Sequence, residues 1–243
     1  MRKSFGALIA VNDVSIRIPR RKITIIIGPN GSGKTTLINV ISGVYKPDSG
    51  KVFFEGKDIT GLPPHEIYRL GMIRTFQIPA LWHRLTVLEN MLAAAKDNPG
   101  EMWRKAPFKR SWRDYEEGLV EKAFKILDFL GILKLWNRRA GELSGGQLRL
   151  LEVGRALMVD ARMILMDEPL ASLNPVIARE ICEHLLRLRD ELGITFLLVE
   201  HRLDIALDYV DHAYAMHRGR LIASGTPEEV VSNPAVIESY LGG

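Results

Sequence analysis

Residues 28–36 read Gly28-Pro29-Asn30-Gly31-Ser32-Gly33-Lys34-Thr35-Thr36, directly after the largely apolar run 22–27 and directly before a helical pattern of apolar residues. A strand, a glycine-rich turn and a helix opening on Lys-Thr form the G-x-x-x-x-G-K-[ST] arrangement. Its physics is direct. Glycines let backbone N–H groups curl around phosphate oxygens, and the helix N-terminus adds positive potential. Lys34 can reach the outer phosphates, and the Thr35 hydroxyl can ligate Mg²⁺. A buried strand feeding a helix through such a turn predicts an α/β chain built on a parallel sheet.

Further along the chain, residues 163–166 and 194–199 are continuous apolar runs bounded by polar residues, the pattern of strands buried on both faces of a parallel sheet. The first of them ends Met163-Ile164-Leu165-Met166-Asp167-Glu168. Asp167 can hold a metal through its water shell. Glu168, next in the chain and so on the other side of the strand end, can polarise an attacking water. Nearer the N-terminus, Val14, Ile16 and Ile18 alternate with Ser15 and Arg17, and residues 51–55 form another β-like run, so an antiparallel β-subdomain is expected there.

Helix ends are readable too. Thr86 followed by Glu89 is a capping box, and Asn174-Pro175 is an N-cap followed by a first-turn proline. The helix after Asn174 carries a core stripe of Ile177, Ile181, Leu185, Leu188 and Leu192 and ends at Gly193. A helical subdomain is expected over about 86–139, within a single domain whose core spans about 1–85 and 140–243. The tail predicts a hairpin around Arg218-Gly219 and two short helices opened by Thr226-Pro227 and Asn233-Pro234.

Composition excludes several classes. Of 243 residues 47% are hydrophobic and 26% charged, which argues against disorder. No apolar run approaches the roughly 20 residues of a spanning helix, and the first residues do not make a signal peptide, so a cytoplasmic location is expected. The one cysteine, Cys182, fits a reducing compartment and reads as a packed small hydrophobe. A net charge of +4 is compatible with nucleic acid or an anionic membrane surface as a partner and decides nothing alone.

Leu143-Ser144-Gly145-Gly146-Gln147 precedes a strongly helical segment, with Ser144 at the N-cap position and two glycines leaving the backbone open as a second anion site. This segment, with the lysine loop before it and the Asp167-Glu168 strand after it, resembles the signature of the ABC ATPases, whose Walker A and Walker B motifs the other two match. The resemblance covers nearly the whole chain. It implies a P-loop ATPase fold, ATP and Mg²⁺ as ligands, and head-to-tail pairing of two ATPase subunits as a homo- or heterodimer, so that Ser144, Gly145, Gly146 and Gln147 serve the partner's nucleotide. It also implies Gln77, in Arg74-Thr75-Phe76-Gln77, as the metal- and water-sensing glutamine. His201 becomes the γ-phosphate contact and Phe5 the aromatic that stacks on adenine.

Two departures from the family pattern stand out. The loop after Glu168 ends Ala171-Ser172-Leu173-Asn174 where the family usually has Ser-Ala-Leu-Asp. Only four residues precede Phe5, where the family usually has one more strand. Within the family, Arg74-Thr75-Phe76-Gln77, Glu200-His201 and the ending from Asn233 are similar to the ATPase subunits of branched-chain amino acid importers. These are peripheral proteins on the inner membrane face that work with permeases and, indirectly, an external solute-binding protein. A urea or amide importer, or an ABC ATPase with no transport role, is the alternative. The segment 96–114, with Trp103, Phe108 and Trp112 among basic residues, reads either as a solvated loop or as a surface facing the membrane subunits.

Overall fold

The computed structural model describes residues 1–75, 81–95 and 110–241. Gln77 and residues 96–109, the greater part of the aromatic and basic segment, lie outside the described residues. The chain forms two compact units, Met1–Gln77 with Arg162–Gly243, and Ile78–Ala161.

The first unit is built on a six-stranded sheet. Its strands are β3 (Ile23–Ile27), β6 (Met72–Arg74), β7 (Met163–Asp167), β8 (Thr195–Val199), β9 (His212–His217) and β10 (Arg220–Gly225), in the order β10-β9-β3-β8-β7-β6. Every residue of β3, β7 and β8 is buried, Thr24, Asp167 and Thr195 included, as their largely apolar runs require of strands covered on both faces. Pairing is parallel from β9 through to β6. Only the edge strand β10 is antiparallel, returning from β9 through Arg218 and Gly219, both at positive φ. Helix α1 (Lys34–Ile41) packs Leu37 and Ile38 into one core with Ile26, Leu165, Leu197 and Tyr214.

Helix α6 (Pro175–Leu192) begins and ends as its sequence dictates. Asn174 accepts from the Ile177 N–H at 2.9 Å. Gly193 closes the helix at φ 69°. Its buried stripe is Ala178, Ile181, Cys182, Leu185 and Leu188, whereas Leu192 is exposed because the last turn runs past the core. The unit also holds the short helices α2 (Pro64–Arg69) and α7 (Leu203–Ala206), and its tail forms α8 (Pro227–Val231), capped by Thr226, and α9 (Pro234–Leu241).

The antiparallel part is smaller than expected. It consists of two ribbons, β1 (Lys3–Phe5) with β2 (Leu8–Val11), and β4 (Phe53–Phe54) with β5 (Lys57–Asp58). Residues 14–18 form no strand. Val14 is buried and Ile16 and Ile18 are half-buried against the core, but the backbone of Arg17 is taken by the Tyr214 hydroxyl. That hydroxyl donates to the Arg17 carbonyl at 2.8 Å and accepts from the Arg17 N–H at 3.0 Å.

The second unit holds α3 (Val87–Leu92), α4 (Arg110–Phe129) and α5 (Gly145–Met158), packed on one another. Helix α5, which the sequence reading assigned to the core, joins α3 and α4 here. Gly154 allows the close approach: a Cβ there would stand 3.0 Å from the Met91 sulfur and 3.2 Å from a Leu130 methyl. Thr86 and Glu89 form the predicted capping box at the start of α3. Buried Asn90 ties down the preceding loop, donating to the carbonyls of Trp82, Leu85 and Thr86. None of the described helices is long and apolar enough to cross a membrane.

Candidate functional site

Strands β3, β7 and β8 are neighbours in the sheet, and their C-terminal ends deliver three loops to one edge, where open α/β sheets bind ligands. The loop after β3 carries Gly28, Pro29, Asn30, Gly31, Ser32 and Gly33 into α1. Gly28 and Gly33 lie at φ 147° and 101°. A Cβ at either would come within 2.1 Å of a backbone oxygen, of Met216 and Ala10 respectively, so the loop closes only with glycine there.

The helix it opens is uncapped. Thr86, Ser144, Asn174 and Thr226 each accept a backbone N–H from their own helix, but Gly33 has no side chain to do so. The first-turn amides of α1, around Lys34, Thr35 and Thr36, have no acceptor within the helix, as in any α-helix. Together with the glycine cradle this suits a phosphate.

Lys34 is only 8% exposed. Its ammonium donates to the carbonyls of Gly28 (2.8 Å) and Pro29 (2.9 Å) and to the Ser32 hydroxyl (3.4 Å). Burial pulls its pKa below the ordinary lysine value, and the carboxylates of Glu168 and Asp167 offset part of that. The Thr35 side chain, at the helix start, is exposed.

At the end of β7 the two carboxylates part, as adjacent residues at a strand end should. Asp167 is also 8% exposed and lies 3.4 Å from Arg74 Nη2. The Arg74 guanidinium also bonds Asn39 and Ser42 of the α1 segment, so one cation joins Asp167 to the helix that begins at Lys34. Burial raises the Asp167 pKa, and Arg74 counters it. Glu168 turns away at φ 51°, its N–H bonded to the Val199 carbonyl. Its carboxylate stands 3.7 Å from His201 Nδ1, at the end of β8.

One buried carboxylate and one hydroxyl, Asp167 and Thr35, suit a Mg²⁺ ion that arrives with phosphate. That ion is ordinarily held by one or two carboxylates, substrate phosphates and water. Phe5 is 43% exposed and meets Tyr45 edge-on at 5.2 Å, so it is not a core residue and leaves ring surface open to stacking.

In the second unit, Ser144 caps α5 reciprocally with Gln147. Ser144 and Gly145 are exposed and Gly146 is buried, so the helix start presents its hydroxyl and open backbone to solvent.

Two stretches of the chain match family models. Residues 11–171 match that described as ABC transporter. The chain belongs to the ABC transporter family. Residues 220–243 match a second model, described as branched-chain amino acid ATP-binding cassette transporter. Over 240 residues the chain is 52% identical to the probable branched-chain amino acid transport ATP-binding protein LivG of Archaeoglobus fulgidus, covering 99% of this chain and 92% of that one. The high-affinity branched-chain amino acid transport ATP-binding protein BraF of Pseudomonas aeruginosa is 38% identical, with 98% and 94% covered. Among solved structures, the ADP conformation of MJ1267, an ATP-binding cassette of an ABC transporter, superposes with a TM-score of 0.87 at 50% identity, over 100% of this chain and 96% of that one. The fold is thus the ABC ATPase cassette, and this member is an ATP-binding ATPase coupled to transport.

Sequence reasoning passed over three residues beside this site. Arg74 entered only as the flank of Gln77. Glu200 entered only beside His201 and Arg202 not at all, yet Glu200 is fully buried and burial raises its pKa. A lone glutamate ahead of a histidine carries no signal of that burial.

Proposed function

We propose that this chain powers a membrane importer for branched-chain amino acids by hydrolysing Mg-ATP, acting as a peripheral subunit on the cytoplasmic face. The observation that carries the reading is the Glu168 carboxylate 3.7 Å from His201, at the same sheet edge as the Lys34 loop. Lys34 and the amides at the start of α1 bind the outer phosphates of ATP, and Phe5 stacks on adenine. Asp167, Thr35 and Gln77 hold Mg²⁺, which when bound neutralises charge building on the phosphate oxygens. Glu168 orients the attacking water and accepts its proton, a contribution of roughly 10²–10⁴-fold for a positioned base. His201 contacts the γ-phosphate and keeps it in line. Ser144, Gly145, Gly146 and Gln147 complete the nucleotide site of a second ATPase subunit, head to tail with this one, and permease subunits receive the motion.

The relatives named for branched-chain amino acid transport, at 38–52% identity over almost the full chain, and the match of residues 220–243 support the choice of solute. A strain lacking this subunit is given either the wild-type chain or Glu168→Gln, and uptake of labelled leucine, valine and isoleucine is followed. Restoration by the wild type alone is expected. Uptake restored equally by Glu168→Gln would overturn the hydrolytic role, and restoration of urea or amide uptake without leucine would overturn the solute.

A further inference from the structure

Glu200 has no exposed surface, and its carboxylate is fully engaged. Oε1 accepts from the Leu170 N–H at 2.6 Å. Oε2 accepts from the N–H groups of His201 at 3.2 Å and Arg202 at 3.4 Å. A buried carboxylate is costly to keep and persists where hydrogen bonds to both of its oxygens offset the lost hydration. What it joins is informative. Leu170 lies two residues after Glu168, and His201 follows Glu200 directly, so the hub sits within two residues of both members of the 3.7 Å pair. A second strut runs parallel to it: Arg202 Nη1 donates to the Leu173 carbonyl at 2.7 Å. The stretch so held contains two non-glycine residues in the left-handed region, Glu168 at φ 51° and Ser172 at φ 63°. Such conformations persist only where surroundings over-determine them.

Resting on the reading of Glu168 and His201 given above, we propose that Glu200, seconded by Arg202, is a positioning residue that clamps the loop 169–173 to the start of the His201 loop and so sets the separation of the two catalytic side chains. The clamp makes them one body. A displacement of the loop after Glu168 then carries His201 with it, instead of widening the gap between them. A charge is needed because both carboxylate oxygens must accept. The amide of a glutamine would turn its NH₂ toward N–H donors on one side and release either Leu170 or the His201–Arg202 pair.

The test is a double-mutant cycle read by single-turnover hydrolysis of Mg-ATP, with nucleotide affinity and thermal midpoint measured in parallel. Glu200→Gln is expected to slow hydrolysis by roughly tenfold to a hundredfold, the scale of a sub-ångström to 1 Å misplacement, while ATP affinity stays within about twofold. In a His201→Ala background the same change is expected to cost nothing further, because there is no longer a histidine to place. If Glu200→Gln does not fold, Arg202→Met, which removes the outer strut together with the exposed Arg202–Asp204 pair but spares the Glu200 carboxylate, is expected to show the same pattern at roughly threefold. Equal slowing with and without His201, or unchanged hydrolysis in both variants, overturns the clamp and leaves His201 in its role. Wild-type hydrolysis by His201→Ala alone overturns the role of His201 itself, and the clamp with it.

Discussion

On the proposed reading, binding and turnover rest on different single side chains. Lys34 is held in the phosphate loop by three oxygen acceptors, none of them from Glu168, whose carboxylate lies beside His201. Lys34→Ala is therefore expected to remove ATP binding. Glu168→Gln is expected to keep ATP binding near the wild-type level and to lower kcat by roughly 10²–10⁴-fold, since only the second change spares the loop. Equilibrium binding of a fluorescent nucleotide, set beside steady-state hydrolysis, checks both. Glu168→Gln turning over at the wild-type rate would move the base elsewhere. Cys182 makes a different residue-scale case. Buried in α6, its thiol is pushed up to about 12, first by burial and then by the charges of Glu200 and Glu183. At pH 8 the thiolate is then only about one part in ten thousand. The native chain is expected to resist a disulfide reagent at pH 8 and to react at once in denaturant. Fast labelling of the native chain would refute the inert reading.

At the scale of elements, helix ends follow local chemistry. Asn174→Ala removes the acceptor for the Ile177 N–H and is expected to cost about 1 kcal/mol, or roughly 2–4 °C in the thermal midpoint, which scanning calorimetry resolves. An unchanged midpoint would mean that this cap adds no stability. Caps such as Thr86 with Glu89, Asn174 and Thr226 were legible because each is decided by residues three apart in sequence. The buried strands β3, β7 and β8 were legible for a similar reason, since a short, largely apolar run bounded by polar residues suits few other places. The stretch 14–18 was misread because alternation reports which side chains turn inward, not whether a neighbouring backbone is free to pair. Its partner is a tyrosine hydroxyl nearly two hundred residues away. Glu200 was illegible for the same physical reason: its three amide partners meet only after β7 and β8 pair in register. The lysine loop and the Asp167-Glu168 pair needed no such help, because glycines with Lys-Thr and carboxylates at a strand end have few other uses in that order.

At the scale of the whole molecule the question is whose nucleotide Ser144 serves. The start of α5 presents Ser144 and Gly145 to solvent, and the Ser144 hydroxyl, which accepts from Gln147, still has its proton to donate. The start of α1, with Lys34, already gives this chain's own nucleotide a helix N-terminus, so the second one is expected to act on the nucleotide bound at Lys34 of the other chain. Two inactive variants, Lys34→Ala and Ser144→Arg, distinguish the arrangements when mixed in equal amounts under conditions where subunits exchange. About half of the dimers are then mixed. If Ser144 acts across the interface, each mixed dimer contains one doubly damaged site and one intact site, so up to about a quarter of wild-type hydrolysis should return. Strong coupling between the sites lowers that ceiling, and recovery above either variant alone is the decisive reading. If Ser144 acts within its own chain, both sites of a mixed dimer are broken and nothing returns. Mixed dimers confirmed by differently tagged subunits, yet silent in hydrolysis, would sink the arrangement across the interface.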